Sequence, residues 1–443
     1  MKKKIAISLA AVLAVGGVVT FFLTRDTRPV LKIANWAEYI DGGDEDSELI
    51  REFEAWYTEK KGEEIRVEYC TADDNETLYN LIKMGDQFDL VCPSEYMLMK
   101  LAAEDRLLKL PDNFFDKTNP DNYYVNYVSP YIERMFTTNY MEGTAAGHSW
   151  SEYAAGYMWG TTGFVFNSER VDREDVKSWN VFLNEKYDRK ITAKDNVRDS
   201  YFAGLGMYYE NELLSLKNDL AAGTIDLETY QTTLSTKMND TNVMTEVQKL
   251  LEKMRGNLYG LETDEGKLDV ITGRFDISYQ WSGDAVYILD MSEDEEITSS
   301  PVDLEYCIPE STSNLWFDGW VMMKGSDEKI QKAALAFINF LSMPENAIRN
   351  MDYIGYTSCI AGDAVFDYVK DKYGAEDDEE ETDVYDLTYF FGNDAKFQAP
   401  LTQFTRQLFA QYPTEDIIDR LVIMEYFDKA TNERANRMWN NIK

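Results

Sequence analysis

Residues 31–39 read Leu-Lys-Ile-Ala-Asn-Trp-Ala-Glu-Tyr: a short apolar strand, 31–35, that runs straight into an aromatic and acidic turn. The segments after this turn decide the fold. Leu49, Ile50, Phe53, Trp56 and Tyr57 recur at helical spacing, and Gly62 stops the run. Residues 64–69 alternate like a strand. Leu78, Leu81 and Ile82 mark a second helix, ended by Gly85. Residues 88–92 read as a third strand closed by Pro93, and 97–103 as a third helix. A β-α-β-α-β-α series predicts an α/β fold on a parallel, doubly wound sheet. Such sheets bind ligands beyond the carboxyl ends of their strands. The segments 36–39 and 94–96 stand at two of those ends.

The pattern continues downstream. A second region opens near Met158-Trp159-Gly160-Thr161-Thr162-Gly163 and continues into the strand-like Phe164-Val165-Phe166. Residues 203–256 are mostly helical. Residues 277–281 read as a strand ending in a Ser-Gly turn, with a helix opening at 285–289. Residues 320–323 read as a further strand, and 330–341 as a strong helix that Pro344 closes. The acidic run 376–383 reads as a solvated loop. At 443 residues, two lobes are expected rather than one core.

Composition narrows the function. Hydrophobic residues make up 44% and charged residues 28%, as in ordinary globular chains. The 80 acidic residues exceed the 44 basic ones, leaving a net charge of −36. Nucleic acid is thereby disfavoured as a partner, since phosphate binding needs clustered Lys and Arg. A negative field concentrates cations, although it also serves plain solubility. The single histidine, His148, sits in a loop-like stretch. A His-based triad or a multi-His metal centre is therefore not expected, and no catalytic residue, metal or cofactor is assigned. Cys70, Cys92, Cys307 and Cys359 match no zinc spacing; disulfides are permitted outside the cytoplasm but the sequence assigns no pairs, and buried free thiols are the default expectation. Lys2, Lys3 and Lys4 precede an apolar run, 5–23, so residues 1–30 read as an export leader. That run is about 28 Å long as a helix, so a cleaved signal and a retained membrane anchor both remain open.

Three remote segments share one chemistry: Trp36-Ala37-Glu38-Tyr39, Trp281-Ser282-Gly283-Asp284 and Trp316-Phe317-Asp318-Gly319-Trp320. Each places a tryptophan within three residues of a carboxylate. An aromatic face attracts a cation, worth roughly 0.5–2 kcal/mol, and a carboxylate adds a charge-assisted hydrogen bond. Gathered together they would box an organic amine. Singly, each also reads as a core tryptophan beside a solvent-facing acid. Carboxylates with tryptophan platforms also serve glycoside hydrolases and sugar receptors. A surface adhesin or scaffold is a third class.

Read in order, the motifs resemble one family. Their carriers are residues 35–39, Phe88-Asp89-Leu90-Val91-Cys92-Pro93-Ser94, residues 159–163, 281–284, 316–318, Phe340-Leu341-Ser342-Met343-Pro344 and Ile354-Gly355-Tyr356. This series resembles the extracytoplasmic polyamine-binding proteins, the spermidine/putrescine receptors of ABC importers. The resemblance implies a two-lobed periplasmic-binding-protein fold of type II, with the ligand in the inter-lobe cleft. Lobe one would be 31–157 plus 317–362, and lobe two 158–316 plus 363–443. It implies ligand contacts from Trp36, Glu38, Tyr39, Ser94, Tyr96, Asp199, Trp281, Asp284, Trp316, Asp318 and Tyr356. Asn196 stands where many spermidine-binding members carry an acid, and Asp284 resembles the putrescine-type members. The implied partners are a putrescine- or spermidine-like polyamine and an ABC permease. The implied protein is an exported, monomeric receptor at the outer face of the cytoplasmic membrane, and not an enzyme.

Overall fold

The computed structural model describes residues 26–43, 47–262, 266–293, 302–376 and 381–443. The leader's charged and apolar parts lie outside them. Among the described residues no helix is long and apolar enough to cross a membrane.

The first half has the expected order. Strand β1 (Val30–Trp36) leads to helix α1 (Glu48–Lys61). Ser47 caps α1 by accepting from Ile50 N, and Gly62 ends it in the left-handed region, φ +68°. Next come β2 (Arg66–Ala72), α2 (Asn75–Met84), β3 (Leu90–Val91) and α3 (Glu95–Ala103). Asp74 caps α2 through Thr77 N at 2.7 Å, and Gly85 ends it. β1 lies between β2 and β3 and is parallel to both.

From there the sheet departs from the parallel expectation. Strand β4 (Ala154–Asn167) is 14 residues long and buried throughout. After it come β5 (Ile191–Lys194), α4 (Val197–Ala221), β6 (Gly260–Glu262), β7 (Ile277–Trp281), α5 (Ser282–Glu293), β8 (Leu304–Cys307) and β9 (Leu315–Met322). The strand order is β2-β1-β3-β9-β4-β7-β5-β6. Its two ends, β2-β1-β3 and β7-β5-β6, are parallel. Its centre, β3-β9-β4-β7, is antiparallel. Antiparallel neighbours need no crossover helix, so the centre carries none of the β-α-β rhythm of the ends.

β4 changes partners along its length. Ala154–Thr161 pairs with β9 and Thr162–Phe166 with β7, while β8 takes Phe164–Asn167. β4 and β9 are buried at every position, so neither shows the alternation of a half-exposed strand. Only the fragments 164–166 and 320–323 stood out in the sequence for that reason.

Three smaller expectations are corrected. No turn comes after β7, because α5 starts at Ser282 itself. Pro344 opens a helix, Pro344–Ile354, rather than only ending the one before it. That position suits proline, whose missing N–H would be unpaired there anyway. The acidic run is partly strand: Thr382–Asp386 pairs with Lys396–Pro400, and residues 377–380 lie outside the described residues. Cys92, Cys307 and Cys359 are buried free thiols, and Cys70 is half-buried.

Candidate functional site

The centre of the sheet joins the remote tryptophans. In β4, Gly160 stands opposite Trp316 and Met158 opposite Asp318, both on β9. Thr162 stands opposite Trp281 on β7. Gly160 is required here: a Cβ would strike Ser282 Oγ and the Trp316 ring. The Trp316 indole N–H donates to Thr161 O at 3.1 Å.

Asp318 is the buried acid of β9, 3% exposed. Its Oδ2 accepts from Trp36 Nε1 at 3.0 Å and from the Tyr39 hydroxyl at 2.9 Å. Its Oδ1 is buried with no hydrogen-bond partner among the described residues. Ser94 forms a β-bridge with it. Burial pushes the Asp318 carboxyl up to about 6, while Ser94, Tyr39 and Trp36 pull it back.

From there the contacts run on towards β7 and β5. The Tyr39 and Tyr356 rings meet edge to face at 5.0 Å, and Trp316 lies 5.7 Å from Tyr356. The Tyr356 hydroxyl donates to Asp284 Oδ1 at 3.0 Å. Asp284, on the first turn of α5, is 3% exposed. Lys194 Nζ stands 2.8 Å from its Oδ2 and Lys267 Nζ 2.9 Å from its Oδ1. Burial raises the Asp284 carboxyl, but the two lysines outweigh it and hold it at about 2. Lys194 also lies over the Trp281 ring, 4.3 Å from its centroid. The Trp281 indole in turn supports Asp199, which burial pushes up to about 6.

The structure thus brings together Trp36, Tyr39, Ser94, Asp318, Trp316, Tyr356, Asp284, Trp281 and Asp199. Tyr96 is one step removed: it is buried and its hydroxyl donates to Glu76 Oε2 at 3.2 Å. Glu38 is not brought in; it is exposed on the turn after β1, at φ +53°. Asn196 acts as the cap of α4, accepting from Arg198 N and Asp199 N.

Sequence reasoning missed the cations. Lys194 ends β5 just before the Asn196 cap, which is the strand-end position that ligand residues favour. β5 is four residues long and escaped notice. Arg198 is buried between two rings, 4.2 Å from Tyr96 and 3.8 Å from Phe427, and donates to Glu425 O. Also missed was Glu95, 1% exposed, whose Oε2 accepts from Phe317 N at 3.0 Å. Burial pushes Glu95 up to about 8.

The chain is 24% identical over 349 residues to a spermidine/putrescine-binding periplasmic protein of Salmonella typhimurium, covering 78% of this chain and 81% of that one. It is 23% identical over 351 residues to a putrescine-binding periplasmic protein of Pseudomonas aeruginosa, covering 78% and 82%. A spermidine/putrescine ABC transporter substrate-binding protein of Streptococcus pneumoniae, solved with calcium and HEPES, superposes with a TM-score of 0.56 at 24% identity, over 94% of this chain and 98% of that one. The fold is that of type II periplasmic-binding proteins. A family model described as bacterial extracellular solute-binding protein matches residues 48–371, and the chain belongs to that family.

Proposed function

We propose that this protein captures a linear amine of the polyamine class outside the cytoplasm and delivers it to an ABC permease. One observation carries the reading: Asp318, buried, takes Trp36 and Tyr39 on one oxygen and leaves the other without a hydrogen-bond partner among the described residues. A buried carboxylate oxygen without a donor is costly. An ammonium would satisfy it while the aromatic faces cover its methylene chain. The names of the relatives, spermidine/putrescine- and putrescine-binding proteins, point the same way.

The guest lies between lobe one, 31–157 plus 317–362, and lobe two, 158–316 plus 363–443. The handover of β4 from β9 to β7 supports this division. Hinge closure would couple binding to the permease. The protein acts as a monomer, binds without turnover and is held at the outer face by its leader or released there. Putrescine has about six heavy atoms, and at about −1.5 kcal/mol per atom its affinity is bounded near a Kd just below micromolar.

The test is calorimetric titration and thermal shift with putrescine, cadaverine, spermidine and spermine, with maltose and oligosaccharides as controls. Amines stabilise the protein and maltose does not; oligosaccharides are neither bound nor hydrolysed. Asp318→Asn weakens amine binding at least tenfold. Amine affinity unchanged in that variant removes Asp318 from the site, and sugar binding or turnover replaces the reading altogether.

A further inference from the structure

Two of the three buried aspartates of this cluster lie in the field of the chain's own cations. Asp284 has Lys194 on one oxygen and Lys267 on the other, with the Tyr356 hydroxyl as a third donor. The Lys194 side chain is 1% exposed and lies over the Trp281 face. An aromatic face and a carboxylate together are what a guest ammonium would seek. Lys194 has taken that place. Asp199 lies within the field of both Lys194 and Arg198.

Asp318 differs. Its supporting neighbours, Trp36, Tyr39 and Ser94, are all neutral. Its Oδ1 has no hydrogen-bond donor among the described residues. The other buried acids leave this contrast standing. Glu95 is kept protonated more readily by burial and accepts from the Phe317 backbone. Glu262 accepts from Gln280 Nε2 at 2.8 Å and from Gly266 N, and shares the field of Lys194. Among the described residues, Asp318 is therefore the aspartate of this cluster on which no cation of the chain acts, and it stands at the β9 end.

We propose that Lys194 is a resident cation that fills the second ammonium position, so that the guest carries one ammonium, seated on Asp318, and an uncharged polar far end. The inference rests on the reading of the site as an amine receptor. A second ammonium at the far end would stand beside Lys194 and Lys267 where water is excluded, and like charges repel strongly there. An amide or hydroxyl brings no such charge, and its oxygen can accept from an ammonium. An N-acylated diamine is the simplest member of this class. Lys194 is thus a specificity-determining residue.

The experiment is titration calorimetry on the full chain with N-acetylputrescine, putrescine and spermidine at equal ionic strength. In the unaltered protein N-acetylputrescine binds at least threefold tighter than putrescine, and spermidine binds weakest. Lys194→Met, checked for folding by its melting curve, shifts the ratio of the two affinities at least tenfold towards putrescine. Should Lys194→Met fail to fold, Lys194→Gln and the ranking in the unaltered protein decide. Putrescine or spermidine binding tenfold tighter than N-acetylputrescine overturns the proposal while leaving the receptor reading intact. So does an affinity ratio that the substitution leaves unmoved. Binding of none of the three amines takes down the receptor reading itself, and this inference with it.

Discussion

Asp318 sets two opposite responses to acid. Burial holds its carboxyl near 6 against an ordinary 3.8, and Asp199 is held near 6 as well. A guest ammonium needs the ionised form, so affinity falls as pH drops from 7.5 through 6. The empty protein responds the other way. With the folded-state value above the unfolded one, each group contributes stability that is complete below about 4 and is lost as pH rises through about 6. Between pH 7.5 and 5 the ligand-free melting temperature therefore gains from these two groups, while the amine binds less well. Melting curves of the unaltered protein and of Asp318→Asn check this: the gain on acidification shrinks in the variant. Asp284 behaves in the opposite sense. Held at about 2 by its lysines, it contributes stability above about 4 that is lost as pH falls towards 2. At this scale the three Trp-plus-acid segments pointed to indoles and acids that the fold gathers, Asp284 and Asp318 among them, while Glu38 of the first segment stays exposed. The sequence said little about Lys194, Lys267 and Arg198. A basic side chain beside an acid looks the same whether it is buried against it or solvated, and only the tertiary position decides.

Helix α5 shows how an element places a side chain. It begins directly at the end of β7, with no intervening loop, so Trp281 and Asp284 emerge at one corner. Gly283 at that corner lies flat against the Tyr356 ring, and a Cβ there would run into it. Gly355 precedes that tyrosine in the left-handed region, φ +77°, and also approaches the Gly283 carbonyl. Gly283→Ala therefore displaces the Tyr356 ring from Asp284, lowers the melting temperature by several degrees and weakens amine binding at least tenfold. Gly256→Ala is the control: outside its own helix turn, no atom of the described residues lies within 4 Å of a Cβ built there, and the position is helical. The edges of the fold were the legible part. α1 and α2 carry side-chain caps and left-handed glycines, and their apolar faces repeat at helical spacing. The central strands hid, since double-sided burial erases alternation and the glycines of β4 interrupt any apolar run.

For the whole molecule, charge and burial act on different steps. The net charge of −36 draws cations in from a distance. Asp318, the acid group that would receive the guest's ammonium, is buried, where salt screens poorly. Raising salt from about 10 mM to about 0.5 M shortens the screening length from about 30 Å to a few ångströms. Stopped-flow measurements will show the association rate falling severalfold over that range, with the dissociation rate changing less than twofold. A dissociation rate that climbs as steeply as association falls would move the ion pair to the surface. The number of lobes was read from length and motif order alone, and the sheet's mixed direction lay beyond both.

The handover in β4 has a mechanical meaning. Thr161 and Thr162 are where one strand lets go of β9 and takes up β7. Trp316 and Trp281 stand opposite Gly160 and Thr162, within two residues of that point along β4. If the sheet pivots, its fulcrum and the guest's cradle share the same few residues. Occupancy would then be sensed at the pivot itself, with no signal to relay across the protein.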